Sequence, residues 1–115
     1  WQKHYKCIQN KDGFLVIGYM ENRIVSGGYF CLSETHSLYG FSTSRRELFD
    51  KPLFHSLLWE AIKYAKDNRV KVFETGLEYS KEQEQLSSKK EVSIAKFKTG
   101  FGGKLKAKLQ INLNI

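Results

Sequence analysis

The sequence predicts an α/β domain of the α+β kind, with a mixed, mainly antiparallel sheet and the element order β-β-β-α-β-α-β. Three observations carry this. Three β-prone runs follow one another between Phe14 and Ser44, separated by short polar turns. Apolar residues then recur at helical spacing from Leu53 to Ala65, and from Leu105 to Ile115 apolar and polar side chains alternate. Meandering strands followed by a helical crossover place both element types around one mixed sheet.

The first strand is FLVIGYM, Phe14 to Met20, and Glu21-Asn22-Arg23 after it is a polar turn. The next run, IVSGGYFCLSE, is apolar on both faces at Ile24, Val25, Tyr29, Phe30, Cys31 and Leu32, which reads as a central strand. Its Gly27-Gly28 predicts a bulge or a close approach. HSLYGFSTS, His36 to Ser44, is the third strand, interrupted by Gly40.

From Pro52 the period changes. Leu53, Phe54, Leu57, Leu58, Ala61, Ile62 and Ala65 share a helix face, and proline suits a helix start, so a helix is predicted from Leu53 to Asp67. VKVFETG, Val70 to Gly76, is a short strand closed by glycine, and Leu77 to Lys90 reads as a polar loop. A second helix fits Glu91 to Thr99, with Ile94, Phe97 and Phe101 on one face and Gly100 as its stop. Leu105, Ala107, Leu109, Ile111, Leu113 and Ile115 then form the dry face of a last strand.

Composition bounds the function. A chain of 115 residues with 41% hydrophobic content fits one domain over residues 1–115 with a modest core. It begins at Trp1 in what reads as strand-like sequence, which predicts a piece of a longer polypeptide. No run is long and apolar enough for a membrane span. Two cysteines, Cys7 and Cys31, make no disulfide framework, which suits a reducing, cytoplasmic setting. The formal charge of +7 is concentrated between Lys89 and Lys108, where Glu91 is the one acid. That segment is either a solvated face or a site for anions.

Motifs narrow the chemistry further. GFGGK lacks the spacing of a P-loop, because Leu105 follows the lysine and a strand follows the glycines. No G-x-G-x-x-G fingerprint or metal-ligand cluster is present, and His4, His36 and His55 fall in no triad spacing. Cys31 reads as a small buried hydrophobe, and Lys104, Lys106 and Lys108 as the wet face of the last strand. Lys98 stands apart, beside Phe97 at a helix end and just before glycines whose bare amides can approach an anion. Glu74, near the end of VKVFETG, is a strand-end carboxylate suited to act as a base or to bind an amine.

LFHSLLWEAIKYAKDNRVKVFETG followed by IAKFKTGFGGKL resembles the C-terminal half of Fem-type aminoacyltransferases, a branch of the GNAT acyltransferase superfamily. The most specific element is F-K-x-G-F-G-G, and the likeness covers about 100 residues. The R-x-x-G-x-G/A pyrophosphate loop of the acetyl-CoA enzymes is replaced here by GFSTSRRELFDKP. The resemblance implies a partial GNAT-like unit, with the rest of the enzyme on the same polypeptide. It also implies N-acyl transfer to an amine of a peptide or sugar, such as a nucleotide-linked cell-wall precursor.

No cofactor is implied beyond the acyl donor, an aminoacyl-tRNA or an acyl-CoA. Backbone amides near Gly40 would hold the acyl carbonyl, and Lys98 would bind a phosphate, with Phe97 shaping the pocket and Gly102 and its neighbouring glycines allowing close approach. Arg45 and Arg46 would add positive charge. The other reading open at this point is a non-catalytic GNAT-like module that contacts RNA or another anionic partner.

Overall fold

The computed structural model describes residues 1–76, 88–107 and 111–114, with residue 94 described for its backbone alone. The chain divides into two compact units, Trp1–Thr75 and Gly76–Ile115.

In the first unit, α1 (Gln2–Gln9) leads into β1 (Gly13–Met20), β2 (Arg23–Leu32) and β3 (His36–Ser44). A 3-10 turn (Arg46–Leu48), α2 (Leu53–Asp67) and β4 (Val72–Glu74) follow. The sheet order is β1-β2-β3-β4. The first three strands are antiparallel neighbours, and β4 pairs in parallel with β3 after the α2 crossover. The expected α+β class and the central place of β2 both hold.

Local chemistry explains the joints. Glu21 and Asn22 both adopt positive φ between the paired residues Met20 and Arg23, the two-residue hairpin turn that Asn tolerates well. The β2 glycines keep regular register with Ser42 and Thr43. The irregularities fall elsewhere, at Val25 opposite Gly18/Tyr19 and at Gly40 opposite Tyr29/Phe30.

α2 buries Leu57, Leu58, Ala61 and Ala65, a stripe at three- and four-residue spacing, and packs on β1, β2 and β3. Phe30 and Leu58 have no exposed surface. Around Phe30 stand Phe14 of β1, Tyr39 of β3 and Phe73 of β4, with ring centroids 5.2, 5.8 and 5.9 Å away. Tyr64 of α2 closes on Phe14 at 4.4 Å, whereas Trp59 is largely exposed.

Three expectations need correction. The opening of the chain is a helix: His4, Cys7 and Ile8 are its part-buried residues, and their three- and four-residue spacing fits one helix face on the sheet rather than a strand. Cys31 is half-buried, at the rim of β2 rather than in the core. The last strand is not formed among the described residues. Leu105, Ile111 and Leu113 are 77%, 71% and 79% exposed, so the apolar side chains described there form no dry face. Lys108 to Gln110 and Ile115 lie outside the described residues, as do Leu77 to Leu86 and Ser87 of the expected loop.

The second unit contains α3 (Lys89–Thr99). It starts two residues earlier than periodicity suggests because Ser88 caps it. The Glu91 amide donates to the Ser88 hydroxyl at 3.2 Å, and the Ser88 amide donates back to the Glu91 carboxylate at 3.3 Å.

Phe30→Ala should lower the unfolding free energy by about 3–5 kcal/mol, since it removes the ring that meets every other strand. Urea denaturation followed by circular dichroism checks this, and a loss under about 1 kcal/mol would mean that the core collapses around the gap.

Candidate active site

The site in the first unit begins where two strands part. β3 and β4 are paired only at His36–Val72, Ser37–Phe73 and Leu38–Glu74. β4 then stops, while β3 runs on for six residues with no strand partner on that side among the described residues. At the same point β3 carries its bulge, with Gly40 as the extra residue between Tyr39 and Phe41. Glycine is required for space: a Cβ there would lie 2.9 Å from the Tyr29 ring and 3.1 Å from its carbonyl oxygen.

Beyond the bulge, Ser42, Thr43 and Ser44 of β3 face a cavity of about 430 Å³. Arg46, Leu48 and Phe49 of the connecting turn, Lys51, and Leu53 and Phe54 at the start of α2 complete its lining. The first turn of α2 has no side-chain cap and no acid, so the helix presents the positive end of its dipole uncompensated. Three hydroxyls, two cations and that helix start form a cavity suited to an anionic group. The Tyr39 hydroxyl lies 3.0 Å from Ser42 Oγ, and the Tyr39 ring meets Phe54 at 5.3 Å. Neither Tyr39 nor the hydroxyl run stood out in the sequence, because only the bulge and the turn bring them onto one cavity.

The two neighbouring arginines separate. Arg46 lines this cavity. Arg45 donates through Nε to the Ile24 carbonyl at 2.8 Å and pairs with Glu47 at 3.4 Å. It lines a second, apolar cleft with Trp1, Leu15, Ile17, Tyr29 and Phe41. The Glu47 carboxyl is held below the usual carboxylate range by its own backbone amide and then by Arg45. Glu74 is half-buried at the end of the short parallel pair, opposite Leu38.

The remaining sequence-predicted residues lie in the second unit. Phe97 meets Phe101 edge-on at 5.4 Å. Gly102 and Gly103 take φ of +78° and +118°, and a Cβ at either would meet nothing, so glycine serves the backbone turn there. Lys98 lies over Gly76, whose φ is +112° and where a Cβ would stand 2.7 Å from the ammonium. Burial pushes the Lys98 ammonium below the ordinary lysine value. Lys104 and Lys106 are exposed. Among the described residues no three His, Cys, Asp or Glu side chains converge on a metal position, and no helix is long and apolar enough to cross a membrane.

Solved structures share this architecture. A transcriptional regulator from Bacillus halodurans C-125 superposes with a TM-score of 0.71 at 12% identity, over 97% of this chain and 73% of the other. A ribosomal-protein-alanine N-acetyltransferase from Brucella melitensis biovar Abortus 2308 gives 0.68 at 7% identity, over 95% and 76%. An aminoglycoside acetyltransferase from an uncultured soil metagenomic sample, in complex with sisomicin, gives 0.64 at 9% identity, over 98% and 74%. No family model matches the sequence, and no curated protein matches it. The fold is therefore GNAT-like.

The depressed Lys98 value carries a sign. Folding lowers the proton affinity of this amine, so its charge opposes folding at neutral pH, and the opposition lifts as pH rises through the depressed folded value. Labelling with acetic anhydride from about pH 7 to about pH 10, read by peptide mass, should show Lys98 reaching half-maximal reactivity at lower pH in the native protein than in the urea-unfolded chain. Coincident profiles would contradict the burial effect.

Proposed function

We propose that the protein is an N-acyltransferase, joining an acyl group from an anionic carrier to an amine. The observation that carries this reading is the parting of β3 from β4 at the Gly40 bulge, beside a cavity holding Arg46 and Lys51. The acetyltransferase neighbours support it at the level of fold.

In this reading the amine nitrogen attacks the acyl carbon, the carbonyl oxygen takes up negative charge, and the carrier leaves. β3 amides near Gly40 stabilise the oxyanion because they are fixed before the reaction begins. Arg46 and Lys51 hold the carrier's phosphates. Glu74, at the end of β4, takes the proton from the attacking amine. Holding the two substrates together contributes much of the remaining rate. In the second unit, taken by itself, Lys98 binds an anionic group, with Phe97 and Gly102 beside it.

Within the superfamily, F-K-T-G-F-G-G supports the Fem-type branch, in which the donor is an aminoacyl-tRNA and the acceptor an amine of a cell-wall peptide or sugar precursor in the cytoplasm. The aminoglycoside acetyltransferase neighbour adds amino sugars to the acceptors worth testing. Two observations favour the second reading, a non-catalytic module that contacts RNA or another anionic partner. GFSTSRRELFDKP stands where the resemblance expects a pyrophosphate loop, while six lysines against Glu91 lie among the described residues from Lys89 to Lys106.

The test is acyl transfer to a panel of peptide and amino-sugar acceptors, with acetyl-CoA and with aminoacyl-tRNA as donors, read by product mass. Product should form with one donor class. Arg46→Ala should then raise the donor KM about 10-fold or more, as expected for a lost charge-assisted hydrogen bond, while Arg45→Ala changes it little. Salt-dependent RNA binding with no product from any pair would favour the non-catalytic module.

A further inference from the structure

Two cysteines lie on backbone segments that meet beside one phenol in the first unit. Cys7 lies in the last turn of α1 and Cys31 near the end of β2. The backbone brings them together: the Asp12 amide donates to the Cys7 carbonyl at 2.7 Å, and the Asp12 carbonyl accepts from the Leu32 amide at 2.9 Å. Gly13 stands directly opposite Cys31 in the β1–β2 ladder. Tyr29 shares a strand face with Cys31, and its hydroxyl lies against Gly13, where a Cβ would be 2.6 Å from Oη.

Both the Cys7 and the Cys31 thiol act to raise the proton affinity of that hydroxyl. His4, one turn before Cys7 on α1, closes the other side of the Tyr29 ring edge-on at 4.8 Å. Burial first, then the neighbouring thiols, pushes the Tyr29 hydroxyl upward, so the phenol stays protonated. Both cysteines are free and only half-buried.

We infer that Cys7 and Cys31 are a redox pair that closes to an intramolecular disulfide by exchange with a low-molecular-weight disulfide, pinning the last turn of α1 to β2. One cysteine thiolate attacks a sulfur of the reagent, breaking its S–S bond and releasing one thiolate that takes up a proton. The second cysteine, having lost its proton, attacks the mixed disulfide at the protein sulfur and expels the other half of the reagent. Two protein thiols are oxidised and one small disulfide is reduced to two thiols. The bridge needs Cα atoms about 4.4–6.8 Å apart, so closing it draws the end of α1 onto β2 beside Tyr29. α1 also carries Trp1 at its start, a residue of the apolar cleft, so oxidation fixes the helix that borders that cleft.

The test treats the folded 115-residue protein with oxidised glutathione and reads intact mass and free thiols. The expected product is a monomer lighter by two hydrogens, with no free thiol, a Cys7–Cys31 linked peptide after proteolysis, and a melting temperature raised by about 4 °C or more. Cys7→Ser and Cys31→Ala should each carry one glutathione and lose the rise in melting temperature. Should Cys31→Ala fail to fold, Cys7→Ser, on a helix with no buried residue, decides alone. Two glutathione adducts on the native chain, disulfide-linked dimers, or two thiols that survive treatment would each overturn the inference.

Discussion

The first unit is organised by the burial of one ring. Phe30 meets an aromatic residue from each of the other three strands, and with Leu58 of α2 it has no exposure. Burying one such side chain contributes about 1.5–3 kcal/mol, which is modest. Its leverage is geometric, because strands paired through few residues are held in place by what fills the space between them. β4 has only three ladder positions, and Phe73 supplies its grip on the core.

That grip makes the opening beyond it tolerable. Among the described residues β3 has no strand partner beyond Leu38 on the β4 side, and the Gly40 bulge interrupts the ladder on its other side. Such a stretch is normally weak. Here Tyr39, just before the bulge, is anchored between Phe30 and Phe54, and its hydroxyl meets Ser42 just beyond it. The distortion is bracketed by packed groups, so the β3 backbone past Gly40 is both accessible and fixed. Among the described residues no buried side-chain polar atom lacks a partner, and Ser37 illustrates why: its buried hydroxyl donates to the Cys31 carbonyl at 2.9 Å.

Much of this was legible in the sequence. The helix over Leu53–Asp67 and the third strand over His36–Ser44 have the bounds that pattern and turn residues indicate. Gly40 was readable as an interruption because a glycine inside a β-prone run signals a bulge. α1 was misread because its apolar stripe is three part-buried residues, too few for periodicity to outweigh the aromatics around them. The terminal alternation was misread for the opposite reason. Its pattern is clean, but a period of two specifies a strand only when a neighbouring strand exists to pair with. The S-x-x-E signature before α3 was present and would have moved that helix start by two residues. The cavity below β3 was not legible at all, since Ser42, Arg46, Lys51 and Phe54 follow no motif and meet only through the path of the turn.

The Arg45 anchor bears on how such a turn can change over generations. Its Nε holds the Ile24 carbonyl, 21 residues back along the chain, and so fixes which of two adjacent arginines is spent on architecture. The charge that Arg46 lends the cavity therefore depends on backbone phase as much as on residue identity. A lineage that gained or lost one residue between Ser44 and Arg46 would keep its composition nearly unaltered and still move a cation from one side of the sheet to the other.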